Sequence, residues 1–230
     1  MLGIVQKAAR KAKRRKLLQD VAEGPLKHYL ETPLPDPGLD IHAVPVLSLD
    51  FEASGLDPEK DRLVSAGYVV MHNGVIDLST ATHVLIRSDR SLNEESVVIH
   101  GITDDDVSDG DEMEEVIGDI LENLAGKILL AHNAQVEIAY LRKACRQLYG
   151  VEPDFPAIDT MRIARQWFQR RNKEIMQGDL RLFNLRKRYH LPPYQAHNAL
   201  SDAISTAELF QAQIEHMDAR GKLPLKQFMG

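Results

Sequence analysis

The chain has 230 residues, 43% of them hydrophobic and 27% charged, so it can bury a sizeable core and is too apolar for global disorder. No uninterrupted apolar stretch approaches the roughly 20 residues that a membrane-spanning helix needs. A single cysteine, Cys145, excludes an intramolecular disulfide framework and a cysteine-based zinc cluster. It favours a reducing compartment, and we expect the cytoplasm.

The net charge of −6 is unevenly distributed. Residues 1–16 contain seven Lys or Arg and no acid, residues 89–122 contain thirteen acids and one base, and residues 142–188 contain twelve bases and five acids. A solvated helix face is the simpler explanation of any one of these blocks. Because the charge is segregated, however, the net value does not exclude a polyanionic partner. We expect phosphate contacts from part of the block between Arg142 and Arg188.

Residues 1–43 are predicted to be a basic helical extension with a Pro-rich linker. The linker is Thr32–Gly38, whose three prolines and one glycine are typical of an extended segment. The arginine-rich start resembles an import signal, but it lacks serine and an apolar core for secretion, so a surface helix or tail is preferred and an import signal is the alternative. The folded domain is expected over residues 44–220, followed by a tail over 221–230.

The domain begins with an apolar run rich in strand formers, Val44–Phe51. Arg62–Met71 and Val75–Ile86 are predicted as the second and third strands, and Asn73–Gly74 between them is a strong hairpin signal. We therefore expect an antiparallel meander of three strands. Two shorter strands are predicted over 127–131 and 157–159.

Apolar residues recur at helical spacing over 111–124. Helices are predicted over 93–100, 111–124, 134–148, 160–171, 180–190 and 198–217. The side chains of Trp167 and Phe168 are predicted to lie in the core, and Cys145 is predicted to be inert. Strands followed by alternating strands and helices indicate an α/β fold with a mixed five-stranded sheet.

Two carboxylates project together from the end of the first strand. Asp50 and Glu52 lie two residues apart, so their side chains point to one face of the sheet while Phe51 points to the other. Such carboxylates repel each other, and one takes up a proton unless a cation neutralises them. A solvated strand end is the simpler explanation of an isolated pair.

Two helix starts supply further candidates. His132 and Asn133 follow the fourth strand with Glu137 in the next helix, and His197 precedes the last helix with Asp202 in its first turns. Each group alone is typical of an ordinary helix start. If the first strand is central, however, four carboxylates and one histidine converge on one point. Carboxylate oxygens suit Mg²⁺ or Mn²⁺ better than zinc.

Together these groups resemble the three exonuclease motifs of the DEDD superfamily in its histidine-containing (DEDDh) form. The motifs are Leu47–Leu56 (LSLDFEASGL), Ala131–Leu141 (AHNAQVEIAYL) and His197–Asp202 (HNALSD), and His100–Thr103 and Ile158–Thr160 agree as secondary features. The resemblance covers about residues 44–215 and is nearest in pattern to the proofreading epsilon subunits of bacterial DNA polymerase III. It implies a ribonuclease-H-like fold with helices on both faces of the sheet.

The resemblance also implies an enzyme, a 3′→5′ exonuclease that releases nucleoside 5′-monophosphates from single-stranded or frayed nucleic acid. DNA is favoured, RNA is the alternative, and a DNA polymerase subunit is a candidate partner. His197 is the implied general base. The implied catalytic ligands of two divalent ions, Mg²⁺ or Mn²⁺, are Asp50, Glu52, Glu137 and Asp202. The positions that match substrate contacts are Ala53, Leu56, His100, Ile102 and Asn133.

The chain departs from the family pattern twice. Glu137 stands where the second motif normally has aspartate, and Ala53 stands where the first motif commonly has threonine. The first change keeps the charge and lengthens the side chain, whereas the second removes a hydroxyl near the substrate end. These changes support an alternative function, a catalytically weakened nucleic-acid-binding or regulatory module. A structural subunit whose basic N-terminal helix docks a polymerase is a further alternative.

Overall fold

The computed structural model describes residues 12–55, 57–88, 102–194, 197–217 and 223–229. The helix predicted over 93–100 lies outside these residues, as do two predicted substrate positions, Leu56 and His100. None of the helices in the described part combines the length and apolar character needed to cross a membrane.

One mixed sheet organises the fold. Its strands are β1 Val46–Ala53, β2 Leu63–His72, β3 Val75–Leu85, β4 Ile128–Ala131 and β5 Ala157–Asp159. The strand order is β3-β2-β1-β4-β5, with β1 in the centre. β1, β2 and β3 form an antiparallel meander, and β4 and β5 run parallel to β1. The predicted five-stranded mixed sheet is confirmed.

The helices flank this sheet. They are α1 Pro25–Glu31, α2 Asp104–Ser108, α3 Met113–Leu124, α4 Gln135–Tyr149, α5 Thr160–Arg170, α6 Leu182–Arg188 and α7 Ala199–Glu215, and residues 12–17 are also helical. The α2 helix has no counterpart among the predicted elements. A capping box starts it, because the Thr103 hydroxyl accepts from the Asp106 N–H while the Asp106 carboxylate accepts from the Thr103 N–H.

Apolar residues fill both faces of β1, which explains why this strand reads as an almost continuous apolar run. Leu47 and Leu49 point into one cluster with α1, α3 and α4, whereas Val46 points into a second cluster with α5 and α7. The alternation of side chains along β1 places Ser48, Asp50 and Glu52 on the same face of the strand as Val46. The Ser48 hydroxyl donates to the Ala203 carbonyl at 2.7 Å and so ties β1 to α7.

The extension ahead of the sheet packs onto the same core. Leu26, Tyr29 and Leu30 of α1 are buried in the first cluster. From the basic run, Lys13 pairs with Asp154 at 2.8 Å. The Arg14 guanidinium donates to carbonyls at the C-terminal end of α1, which have no partners inside the helix. Lys13 and Arg14 therefore have a structural role.

Gly67 on β2 lets α7 approach the sheet closely. It pairs with Asp50 on β1, and a Cβ atom at this position would lie 2.0 Å from the backbone nitrogen of Leu200. No side chain fits in that space, because the obstacle is helix backbone that cannot rotate away. The position of α7, and with it the position of Asp202, therefore depends on this glycine.

Replacing Gly67 by Ala is expected to lower the free energy of unfolding by about 3 kcal/mol, because the added methyl overpacks the contact between sheet and helix. Urea unfolding followed by circular dichroism measures the effect. Gly38→Ala is the matched control, since Gly38 is exposed and its nearest neighbour is the movable Asp36 carboxylate at 3.2 Å. Equal stability of the two variants would contradict the prediction.

Candidate active site

The candidate site lies at the C-terminal end of β1. Asp50 and Glu52 project from this strand toward α7, which carries Asp202 in its first turn. Glu137 reaches the same place from the first turn of α4, directly after β4. The fold thus brings together the four carboxylates predicted from sequence, because β1 and β4 are adjacent parallel strands whose C-terminal ends meet at one edge.

Glu52, His197 and Asp202 form the tightest part of this cluster. One potential ligand atom from each lies within 4.8 Å of the other two. The His197 N–H donates to the Asp202 carboxylate at 3.0 Å, and Asn198 caps α7 by accepting from the Ser201 N–H at 3.0 Å. His197 itself has a left-handed backbone with φ of 65°. Its side chain is exposed and therefore accessible to water.

Burial and mutual repulsion raise the pKa values of three of these carboxyls. Removal from water is the main cause for Asp50, whose pKa is well above its usual range, and the charges of Glu137, Asp202 and Glu52 add to the shift. Burial raises the pKa of Glu137 to about 8. Burial also raises the pKa of Asp202, against a lowering contribution from its hydrogen bond with the His197 backbone.

These properties fit a site for hard divalent cations. Oε2 of Glu137 is buried and has no hydrogen-bond partner in the described residues, although buried carboxylate oxygens normally have one. Burial is the main cause of the raised pKa values of Asp50 and Glu137, and the charges of neighbouring acids add to both shifts. Oxygen ligands of this type match Mg²⁺ or Mn²⁺. The residues that could hold such ions are Asp50, Glu52, Glu137 and Asp202.

The junction after β4 is held by polar contacts. The His132 ring nitrogens lie 2.8 Å from the Thr160 hydroxyl and 2.9 Å from the Leu180 carbonyl, so this side chain connects β4 to α5 and to the segment after α5. Asn133 adopts a left-handed backbone with φ of 68°. Its backbone N–H donates to the Asp159 carboxylate at 3.1 Å.

Asp159 was not among the predicted site residues. Its carboxylate also accepts from the Met161 and Arg162 N–H groups and so caps α5. The charge of Asp159 contributes to the raised pKa of Glu137. The available signal was the Ile158–Thr160 segment, whose agreement with the family pattern pointed to this position.

Two further predicted substrate positions, Ala53 and Ile102, lie in the described part of the chain. Ala53 ends β1 and is half-buried. Ile102 packs against Val64 and Val107, which form a small separate cluster. Their contact with substrate remains a prediction, as does that of Asn133.

Two arginines of the predicted basic block form ion pairs with carboxylates of the same protein. Arg142 lies 3.1 Å from Asp154, and Arg146 pairs with both Glu59 and Glu152 at 2.8 Å. These guanidinium groups already have carboxylate partners. They are therefore poor candidates for the phosphate contacts expected between residues 142 and 188.

Known proteins resemble this chain in sequence. The DNA polymerase III PolC-type protein of Thermotoga petrophila is 31% identical over 180 residues, which are 78% of this chain and 12% of that protein. The DNA polymerase III subunit epsilon of Treponema pallidum is 28% identical over 74% of this chain and 76% of that protein. This chain thus spans about an eighth of the length of the PolC-type relative.

Solved structures share the fold. The nuclease domain of 3′hExo, a DEDDh family member bound to rAMP, superposes with a TM-score of 0.64 at 16% identity and covers 80% of this chain and 100% of that domain. The model of the exonuclease family of the ribonuclease T type matches residues 47–210, a span that contains the four carboxylates and His197. The chain therefore belongs to this family of exonucleases, hydrolases that act on phosphodiester bonds.

Proposed function

We propose that this protein is a 3′→5′ exonuclease that hydrolyses the terminal phosphodiester of single-stranded or frayed nucleic acid and releases nucleoside 5′-monophosphates. The observation that carries the proposal is the convergence of four carboxylates with an exposed histidine at one edge of the sheet. Relatives that are DNA polymerase III proteins favour DNA as the substrate. They also make a polymerase subunit a candidate partner.

The carboxylates are assigned to cation binding. Asp50, Glu52, Asp202 and Glu137 would hold the divalent ions, with Asp50 central in the cluster and close to the charges of the other three. Divalent ions bound there would polarise the scissile phosphate and lower the pKa of water. The side chain of Glu137 is deeply buried, and its extra methylene gives it a longer reach than an aspartate would have at this position.

His197 is assigned as the general base. Its exposed ring can accept the proton of the attacking water. The left-handed backbone and the hydrogen bond to Asp202 hold the residue over the cluster. The negative charge of Asp202 then stabilises the imidazolium that forms.

A digestion experiment tests the proposed function. Single-stranded DNA, duplex DNA with a 3′ mismatch, and RNA, each labelled at its 5′ end, are incubated with the protein and Mg²⁺ or Mn²⁺. We expect a ladder that shortens from the 3′ end, fastest on single-stranded or mismatched DNA. Absence of shortening on all three substrates with both ions, while DNA binding persists, would favour the binding-module alternative.

The variant His197→Ala is expected to lose turnover by about 10²- to 10⁴-fold, the usual contribution of a general base. Binding of Mn²⁺ and of DNA should remain, because the carboxylates are unchanged. Rates are measured on labelled single-stranded DNA, and Mn²⁺ binding is measured by electron paramagnetic resonance. His72→Ala, at an exposed position on β2, is the control and should behave as the unmodified protein. Loss of Mn²⁺ binding in His197→Ala would instead make this histidine a ligand.

A further inference from the structure

Two groups can be distinguished among the basic residues of the segment 162–188. This segment contains nine Lys or Arg and two acids. Some bases are held inside the protein: Arg162 donates to two carbonyls near the C-terminus, and the buried Arg186 pairs with Glu208 at 2.7 Å. Three others are exposed and surround one side chain, Trp167.

These three cations contact the same indole ring. The guanidinium carbons of Arg171 and Arg188 lie 4.3 and 4.6 Å from the ring centroid of Trp167, and Nζ of Lys173 lies 5.2 Å from it. The three charges therefore lie within about one Debye length, about 10 Å at 0.1 M salt, of one another. We call Trp167, Arg171, Lys173 and Arg188 the Trp167 patch.

The described residues do not neutralise the patch. None of its three cations forms an ion pair with a described carboxylate within 4.0 Å. Nor are the side chains needed to cap α5, because backbone N–H groups of Arg171 and Lys173 already donate to the Phe168 carbonyl. Like charges held this close repel one another, so a bound anion would lower the electrostatic free energy of the patch.

The patch lies within reach of the candidate site. The α5 helix begins directly after Asp159, whose carboxylate accepts from the Asn133 N–H at 3.1 Å, and Trp167 lies two turns, about 10 Å, further along this helix. The segment after α5 passes the end of β4, where the Leu180 carbonyl contacts His132. By contrast, the exposed acids of α3 lie on a helix that packs against the opposite face of the sheet.

We propose that the Trp167 patch binds the phosphodiester backbone of the substrate strand, upstream of the 3′ end held at the carboxylates. The inference deepens the proposed function and rests on it for the direction of the strand. Guanidinium groups recognise phosphate by paired hydrogen bonds, and stacking on Trp167 holds them in position. Contacts of this kind do not read base sequence, as expected of an enzyme that moves along a strand.

The test is the triple variant Arg171→Gln, Lys173→Gln, Arg188→Gln, made in the full chain. Binding of a labelled single-stranded DNA of about 20 nucleotides is measured between 50 and 200 mM NaCl in an Asp50→Asn background, in which degradation is slow enough for equilibrium binding. We expect at least about tenfold weaker binding at 0.1 M salt. The salt slope, which is the slope of the logarithm of the binding constant against the logarithm of the salt concentration, should be smaller in magnitude by about 2, because three phosphate contacts are lost. With Asp50 intact, hydrolysis of a trinucleotide should be unchanged.

The matched control removes the same charge from bases that are already paired, Lys27→Gln, Arg87→Gln, Arg146→Gln, and should keep the affinity and salt slope. The variant Arg171→Lys, Arg188→Lys should keep most of the slope. Unchanged DNA binding by the triple variant, with an unchanged melting temperature, would overturn the proposal. An equal loss of hydrolysis on the trinucleotide would also overturn it. So would binding of polyglutamate that depends on the patch and is as strong as the binding of DNA. Patch-dependent binding without hydrolysis by the unmodified protein would support the patch and contradict the proposed function instead.

Discussion

Replacing Asp50 by Asn is expected to lower turnover by on the order of 10³-fold, because ions bound there supply several kcal/mol of transition-state stabilisation. The same change should raise the melting temperature of the metal-free protein. Removal from water is the main cause of the raised pKa of Asp50, and repulsion by Glu137, Asp202 and Glu52 adds to it. The neutral amide has nearly the same shape and relieves this repulsion.

Activity and melting temperature therefore move in opposite directions in this variant, and a purely structural role for Asp50 would not produce that result. Turnover is measured on labelled single-stranded DNA, and melting is followed by calorimetry with a chelator and again with Mg²⁺. Asp20→Asn, at an exposed position, is the control for the loss of one charge. If Asp50→Asn lowers the melting temperature of the metal-free protein, the described crowding is wrong.

The second large effect is a fall in stability of the metal-free protein as pH rises from about 7 to about 8.5. The pKa of Glu137 is raised to about 8, so the folded protein retains a proton that the unfolded chain has released. The free energy of unfolding therefore decreases with pH, by about 1.4 kcal/mol per unit for each carboxyl that retains its proton. Above its raised pKa, Glu137 is ionised in both the folded and the unfolded state, and it no longer adds to this decrease.

Over this pH range the change in stability comes from the carboxyls and not from the buried histidines. Burial lowers the pKa values of His83 and His132, so both are neutral above pH 7 in the folded protein and largely neutral in the unfolded chain. Urea unfolding at several pH values with a chelator measures the slope. Glu137→Gln should flatten the slope, and saturating Mg²⁺ should offset the loss of stability. A stability that is independent of pH in the unmodified metal-free protein would contradict the assigned crowding.

The basic extension illustrates how sequence and structure contribute differently. Its composition marked Lys13 and Arg14 as part of a charged run without a defined partner. In the fold their partners are Asp154 and the carbonyls at the end of α1. These contacts join positions far apart in the chain, so no local pattern reveals them.

The sequence by itself determined the strands, most helices and the identity of the clustered acids. Alternation along β1 places Asp50 and Glu52 on one face, and the Asn73–Gly74 pair sets the hairpin, because both effects act between neighbouring residues. Helix ends agree with the predicted ends within two residues for α3, α4, α5, α6 and α7.

Only the tertiary structure decided how closely the elements approach one another and which charged side chains form ion pairs. Gly67 permits the contact with Leu200, and Asp159 joins the site through the Asn133 N–H. Arg186 and Arg188 are both bases of one short helix, yet one is buried against Glu208 and the other stacks on Trp167 in solvent. Burial and ion pairing depend on residues distant in sequence, and composition cannot distinguish such neighbours.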